Sequence, residues 1–72
     1  MNDAVVKRSV RIAGHLTSVS IEEAFWTGLR AMAQARGTSV NALVAAIDAE
    51  RDTTNLSSAI RLAVLAHYRD RD

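Results

Sequence analysis

The chain has 72 residues, no Cys and a net charge of +1. A chain of this length forms one domain at most, and without Cys it has neither disulfides nor thiolate metal sites. Its longest apolar runs, residues 42–47 and 62–66, are far shorter than the roughly 20 residues that cross a bilayer, which predicts a soluble protein that does not enter membranes. Because so short a chain builds only a small core, we predict that oligomerisation completes it.

The N-terminal part carries the one clear strand pattern. Val10 and Ile12 alternate with Ser9 and Arg11, which is the period of a strand with one buried face. We predict a strand over about residues 7–16. Since no second strand is predicted, its unpaired backbone groups favour antiparallel pairing with the same strand of a second copy.

A first amphipathic helix is predicted over about residues 20–36. Ser20 and Glu23 have the spacing of a capping box, and Gly37 is placed to end the helix in a left-handed conformation. Between these ends, apolar or small residues recur at helical spacing: Ile21, Ala24, Phe25, Gly28, Leu29 and Met32.

A second amphipathic helix is predicted over about residues 39–51. The hydroxyl of Thr38 or of Ser39 can cap its first turn. Its apolar stripe, at positions i, i+3, i+4 and i+7, consists of Val40, Leu43, Val44 and Ile47.

A third helix begins after Asn55, another residue suited to an N-cap. Its apolar face is broad, because Leu62 and Leu65 lie beside the stripe that contains Ile60 and Val64. A helix that is apolar over more than one stripe buries two sides, so we expect residues 55–69 to lie between chains or to bind another protein.

The order of strand, helix, Gly turn and helix resembles the Arc/MetJ-like ribbon-helix-helix DNA-binding proteins over about residues 7–51. Residues 8–18, Ser20-Ile21-Glu22 with Phe25-Trp26, and residues 55–61 are similar to a bacterial subfamily with a third helix. The resemblance implies a mainly α fold with one N-terminal strand. It implies an intertwined homodimer with a two-stranded antiparallel intermolecular β-ribbon and an extra C-terminal helix.

On this reading the chain has three parts. Residues 1–6 are a flexible arm, residues 7–52 are the ribbon-helix-helix domain, and residues 53–72 are the C-terminal helix and tail. The residues expected to form the dimer core are Val10, Ile12, Phe25, Leu29, Leu43, Val44 and Ile47.

The predicted strand places three polar side chains on one face. If Val10 and Ile12 face the helices, then Lys7, Ser9 and Arg11 project from the opposite face of a ribbon that fits a major groove roughly 12 Å wide. Lys7 and Arg11 can donate to guanine O6 and N7, whereas the Ser9 hydroxyl discriminates less between bases. The resemblance assigns base contacts to the same three positions.

Phosphate contacts are expected from four other residues. Arg8 falls on the side where the family commonly has an apolar residue, so we expect it at the ribbon's edge, within reach of a phosphate. The exposed amides at Thr38, Ser39 and Val40 begin the second helix, whose positive dipole end suits a phosphate. These contacts set position and not sequence.

The sequence gives little support for a metal site or a catalytic site. His15 and His67 lack the partners and spacing of a metal site, and no Ser has a base and an orienting acid in a catalytic order. We therefore predict no metal, no cofactor and no enzymatic activity.

The predicted function is sequence-specific regulation of transcription, as a repressor bound to double-stranded DNA in the cytoplasm and associated with the nucleoid. A two-fold dimer would read a short palindrome. The alternative is a protein-interaction module, such as an antitoxin or an oligomeric scaffold, whose C-terminal helix binds a partner protein. A further variant joins dimers into tetramers or larger assemblies through residues 55–69.

Overall fold

A computed structural model describes residues 4–52 and 55–70. Its described part is a β-hairpin followed by three helices. The predicted arm lies outside the described residues as far as residue 3, and so do residues 53, 54, 71 and 72 of the predicted tail. The elements are β1 Val5–Ile12, β2 His15–Glu22, α1 Glu23–Ala35, α2 Val40–Glu50 and α3 Leu56–Arg69.

The two strands pair antiparallel along their whole length within one chain. Ala13 and Gly14 join them with φ of 52° and 83°, and a two-residue turn with two positive φ angles matches the twist of the flanking strands. The prediction of one strand without a partner in its own chain is therefore wrong. The strand also begins earlier than predicted, at Val5, and ends at Ile12 because the chain reverses there.

The segment of the second strand contains a capping pattern, which led to the prediction of a helix from residue 20. Ser20 does not cap a helix; it lies in β2 opposite Lys7. α1 begins at Glu23, and its N-cap residue Glu22 makes no side-chain capping bond. Pairing with β1 satisfies the backbone groups of residues 15–22 that face β1, and the hairpin buries Val19 and Ile21, which a capping box at Ser20 would not do.

Three of the predicted helix caps are present in the structure. At the end of α1, the Gly37 amide donates to the Gln34 carbonyl at 3.1 Å and the Thr38 amide to the Ala33 carbonyl at 3.0 Å, the two bonds of a Schellman motif. The Ser39 hydroxyl accepts from the Ala42 amide at 3.0 Å, which caps α2. The Asn55 side chain caps α3 in the same way, by accepting from the Ser58 amide at 2.9 Å.

All three helices pack against one face of the hairpin. α1 and α3 approach closely at Gly28, where an added Cβ would lie 2.8 Å from Val64 Cγ1. None of the helices in residues 4–52 and 55–70 is both long and apolar enough to span a membrane. The buried core consists of Val10, Val19, Ile21, Leu29, Met32, Ala33, Leu43, Val44, Leu56, Ile60 and Val64.

The residues expected to form a dimer core lie in the core of a single chain. Four are buried there, and the other three are partly buried against them. α3 supplies three of the buried residues, so it covers the hairpin and the other helices of its own chain. Within the described residues, these side chains are therefore covered, fully or in part, by their own chain. The four are Val10, Leu29, Leu43 and Val44, and the three are Ile12, Phe25 and Ile47.

The turn generates a first prediction. Ala13 is exposed and holds a left-handed conformation that costs an L-residue roughly 1–2 kcal/mol, whereas Asn tolerates it and Asn-Gly is the preferred pair for this turn. We expect Ala13→Asn to raise the free energy of unfolding by about 1 kcal/mol, measured by urea denaturation. The control Ala31→Asn, at an exposed position of α1, should lower it by about 0.5 kcal/mol. A loss of stability in Ala13→Asn would contradict the turn.

Candidate nucleic-acid interface

The face of the hairpin that points away from the helices is polar and open. Alternate residues of a strand point to opposite faces, so the four β1 residues and four β2 residues on this side form one surface, here called the outer face. Seven of the eight are exposed, and Glu22 is partly buried. The outer face consists of Val5, Lys7, Ser9, Arg11, Leu16, Ser18, Ser20 and Glu22.

The three residues predicted to contact bases lie together on this face. Lys7, Ser9 and Arg11 follow one another along β1, and the two cations are about 13 Å apart along the strand at roughly 3.3 Å per residue. A second polar row, on β2, was not predicted. The alternation of Ser18 and Ser20 with Val19 and Ile21 is the sequence signal that indicates it.

The pairing register sets the two rows side by side. Lys7 lies opposite Ser20, Ser9 opposite Ser18, and Arg11 opposite Leu16. One strand therefore presents two cations, and the other presents hydroxyls and an apolar side chain that is 68% exposed. A two-stranded ribbon of this kind has dimensions that a major groove admits.

Arg8 lies on the opposite side of the hairpin, facing the helices. Its guanidinium donates to the Glu23 carboxylate at 2.9 Å and stacks over the Trp26 ring at 4.6 Å from the ring centre. The predicted phosphate contact assumed a guanidinium at the edge of the ribbon. The structure instead places this charge between α1 and β1, partly buried.

The start of α2 lies at the Arg11 end of β1. Asn41 accepts a hydrogen bond from the Arg11 backbone amide at 3.2 Å, which joins the helix to the outer edge of the strand. Of the predicted phosphate contacts, the Thr38 amide already donates to Ala33 and the Ser39 hydroxyl already caps α2. The Val40 amide belongs to the first turn, where amides have no partner within the helix.

α3 covers the outer edge of β2. The Ser20 amide donates to the Ser57 hydroxyl at 3.1 Å, and Arg61 donates to the Ser20 carbonyl at 3.2 Å. Arg61 also forms an ion pair with Glu22 at 2.7 Å. The hydrogen bond from Arg61 is the main reason that the pKa of the Glu22 carboxyl lies below its ordinary value, so this acid stays ionised and paired.

Within residues 4–52 and 55–70 there is no group of three His, Cys, Asp or Glu residues that would hold a metal ion. The arrangement offers cations and hydroxyls on an open ribbon, which is the chemistry of binding to a polyanion with readable edges.

A two-stranded antiparallel ribbon followed by three helices is consistent with a ribbon-helix-helix fold that has an extra C-terminal helix. The family model described as "Ribbon-helix-helix domain" matches residues 5–68. The chain therefore belongs to the ribbon-helix-helix family, as its sequence suggested. This is a family of DNA-binding regulators and not of enzymes, and its members generally dimerise.

One solved structure is similar over nearly the whole chain. It is that of an uncharacterized protein from Bordetella pertussis Tohama I, with a TM-score of 0.79 and 27% sequence identity over 97% of the present chain. The chain spans 60% of the length of that protein. Among curated proteins, none matches this sequence.

The Glu22–Arg61 pair generates a second prediction. A carboxyl whose pKa is lowered by folding adds stability above its ordinary pKa of 4.5, and this stability is lost as the pH falls through the lower, folded pKa. Glu22→Gln removes the titrating group. We therefore expect the free energy of unfolding of the Glu22→Gln protein to fall less than that of the wild type between about pH 5 and pH 3.

Urea denaturation at a series of pH values measures this difference. The control Glu50→Gln changes an exposed acid at the end of α2 and should keep the wild-type dependence. If Glu22→Gln and the wild type lost stability in parallel, the ion pair would not hold β2 against α3 in solution.

Proposed function

We propose that this protein is a sequence-specific DNA-binding regulator, a repressor, whose hairpin enters the major groove with its outer face. One observation carries the proposal. Lys7, Ser9 and Arg11 stand exposed in a row on a two-stranded ribbon, in a chain of a family of DNA-binding regulators. Repression follows if a ribbon seated in the groove excludes other proteins from the same DNA.

The recognition chemistry follows from the side chains. Lys7 and Arg11 donate hydrogen bonds to guanine O6 and N7, and the Ser9 hydroxyl donates or accepts. Because Asn41 holds the Arg11 backbone, the Arg11 side chain extends from a fixed point and loses less freedom on binding. This supports Arg11 as the main base-reading residue.

The start of α2 supplies the positioning contact. The first-turn amide of Val40 and the positive end of the helix dipole lie beside the Arg11 end of the ribbon, where a phosphate next to the groove would be bound. Thr38 and Ser39 shape this end through their bonds within the chain, so we assign the direct contact to Val40. Arg8 has no part in it, because Glu23 and Trp26 hold its guanidinium on the other face.

A third prediction tests the base contact. We expect Arg11→Ala to lose about 1–3 kcal/mol of discrimination against the wrong base while keeping the wild-type fold, because the Arg11 side chain is exposed. Duplexes selected from a random pool give the preferred site, and titrations against that site and its single-base variants give the discrimination.

Arg69→Ala is the matched control for charge. Arg69 lies at the far end of α3, about 18 Å along the helix from Ser57 at roughly 1.5 Å per residue, and it should leave the preference unchanged. If the complex neutralises about four phosphates, log K should fall against log salt with a slope near −3.6. If Arg11→Ala kept the base preference of the wild type, the hairpin would not be the element that contacts the bases.

The exposed side of α3 favours a second binding role. Leu62 and Leu65 are 59% and 52% exposed on the same side of the helix, and Tyr68 is 41% exposed beside Leu65 in an apolar groove of about 320 Å³. We propose that a second copy of the chain covers this side. The family generally dimerises, and α2 and α3 occupy parts of both outer edges of the hairpin in its own chain.

A fourth prediction follows for self-association. A carboxylate placed in an apolar contact loses its hydration, so Leu65→Glu should convert a dimer to a monomer in light scattering while the protein stays folded. Gln34→Glu, which adds the same charge at an exposed position of α1, should leave the mass unchanged. A dimer that persisted in Leu65→Glu would contradict this interface. The exposed side of α3 would then be available to bind a different protein, as in the antitoxin alternative.

A further inference from the structure

The two strands of the hairpin carry a short repeat. Ser9-Val10-Arg11-Ile12 of β1 returns nine residues later as Ser18-Val19-Ser20-Ile21 of β2. In the pairing register Ser9 lies directly opposite Ser18, so a local two-fold axis passes between these two residues. Rotation about this axis superimposes the β1 residues from Val6 to Ile12 on the β2 residues nine positions later.

The helices follow the same near-symmetry. The Arg11 amide points outward from β1 and donates to Asn41, the second residue of α2. At the equivalent position of β2, the Ser20 amide points outward and donates to Ser57, the second residue of α3. Each outer edge of the hairpin is thus joined to the first turn of one helix by the same kind of bond.

The equivalence ends on the outer face. The axis relates Lys7 to Leu16 and Arg11 to Ser20, so each cation of β1 corresponds to a neutral side chain of β2. In a ribbon built from two copies of β1, the two rows would be identical. Within this hairpin, they differ in charge and in hydrogen-bonding capacity.

We infer that a single chain forms a complete but asymmetric DNA-reading ribbon, in which Leu16, Ser18 and Ser20 are specificity-determining residues. This inference rests on the proposed function. Lys7 and Arg11 favour guanine along one row, and the exposed Leu16 contacts a thymine methyl group in the other. The subsite under one ribbon is therefore not a palindrome, even where two chains bind a longer inverted repeat.

The first test concerns the ribbon alone and needs no DNA. Because the Arg11 amide points outward, that of Ser9 does too, and Ser9 and Ser18 form a non-hydrogen-bonded pair with Cα atoms about 4.5 Å apart. This separation suits a disulfide, and the native chain has no Cys. After mild oxidation, Ser9→Cys/Ser18→Cys should migrate as a single chain on a non-reducing gel with no free thiol.

Ser9→Cys alone is the matched control and should keep its thiol. If the ribbon formed between two copies of β1, Ser9 would lie near the Ser9 of the second copy. Covalent dimers of Ser9→Cys, with free thiols left in the double variant, would overturn the single-chain ribbon.

The second test makes the outer face symmetric. Leu16→Lys/Ser20→Arg gives β2 the outer-face residues of β1 at the positions related by the local axis. Selection from random duplexes should return an asymmetric subsite for the wild type and a palindromic one for this variant. As a single substitution, Arg11→Ala should weaken the base preference at one end of the subsite by about tenfold or more and leave the preference at the other end unchanged.

The outcomes separate the inference from the proposed function. A palindromic wild-type subsite, weakened at both ends by Arg11→Ala, would overturn the asymmetric reading and leave DNA binding intact. If no duplex were selected by the wild type, the proposed function would fail, and with it any reading by β2. The disulfide result would then still show whether the ribbon is formed by one chain.

Discussion

The reversal of the chain at Ala13 and Gly14 is the constraint on which the rest of the structure depends. Two residues with positive φ bring residues 15–22 back alongside β1, which pairs the facing backbone groups of the two strands within one chain. The same reversal gives the hairpin two unlike faces. One face supplies Val10, Val19 and Ile21 to the core, and the other leaves the polar rows exposed to solvent.

Helix packing then fixes the hairpin at one face and along its outer edges. The ion pairs that join it to the helices, from Arg8 to Glu23 and from Arg61 to Glu22, are partly exposed, and such pairs add little stability on average. Their geometric effect is larger. Arg61 also bonds to the Ser20 carbonyl, so it fixes both the edge of β2 and the direction in which α3 leaves the hairpin.

Much of this could be predicted from the sequence, because periodicity and capping act locally. The alternation in β1 placed Lys7, Ser9 and Arg11 on one face, and Asn55 marked the start of α3. The hairpin could not be predicted from one segment alone. Ala-Gly is a weaker turn signal than Asn-Gly, and Ser20 and Glu23 satisfy a capping pattern that loses to pairing between distant residues. The position of Arg8 could not be predicted either, because its partners Glu23 and Trp26 lie on α1, distant from it in the sequence.

The weak net charge of +1 is compatible with the proposed DNA binding, because the positive charge that the proposal uses is local. Glu22 is the acid on the outer face, and its pairing with Arg61 offsets its negative charge beside the β1 cations. Under the proposed function, few cations would be available for phosphates, so non-specific affinity for DNA would be low, because that affinity grows with the number of phosphates neutralised. A larger share of the binding energy would then depend on contacts with base edges. The difference between the two rows of the ribbon would matter more than the total charge.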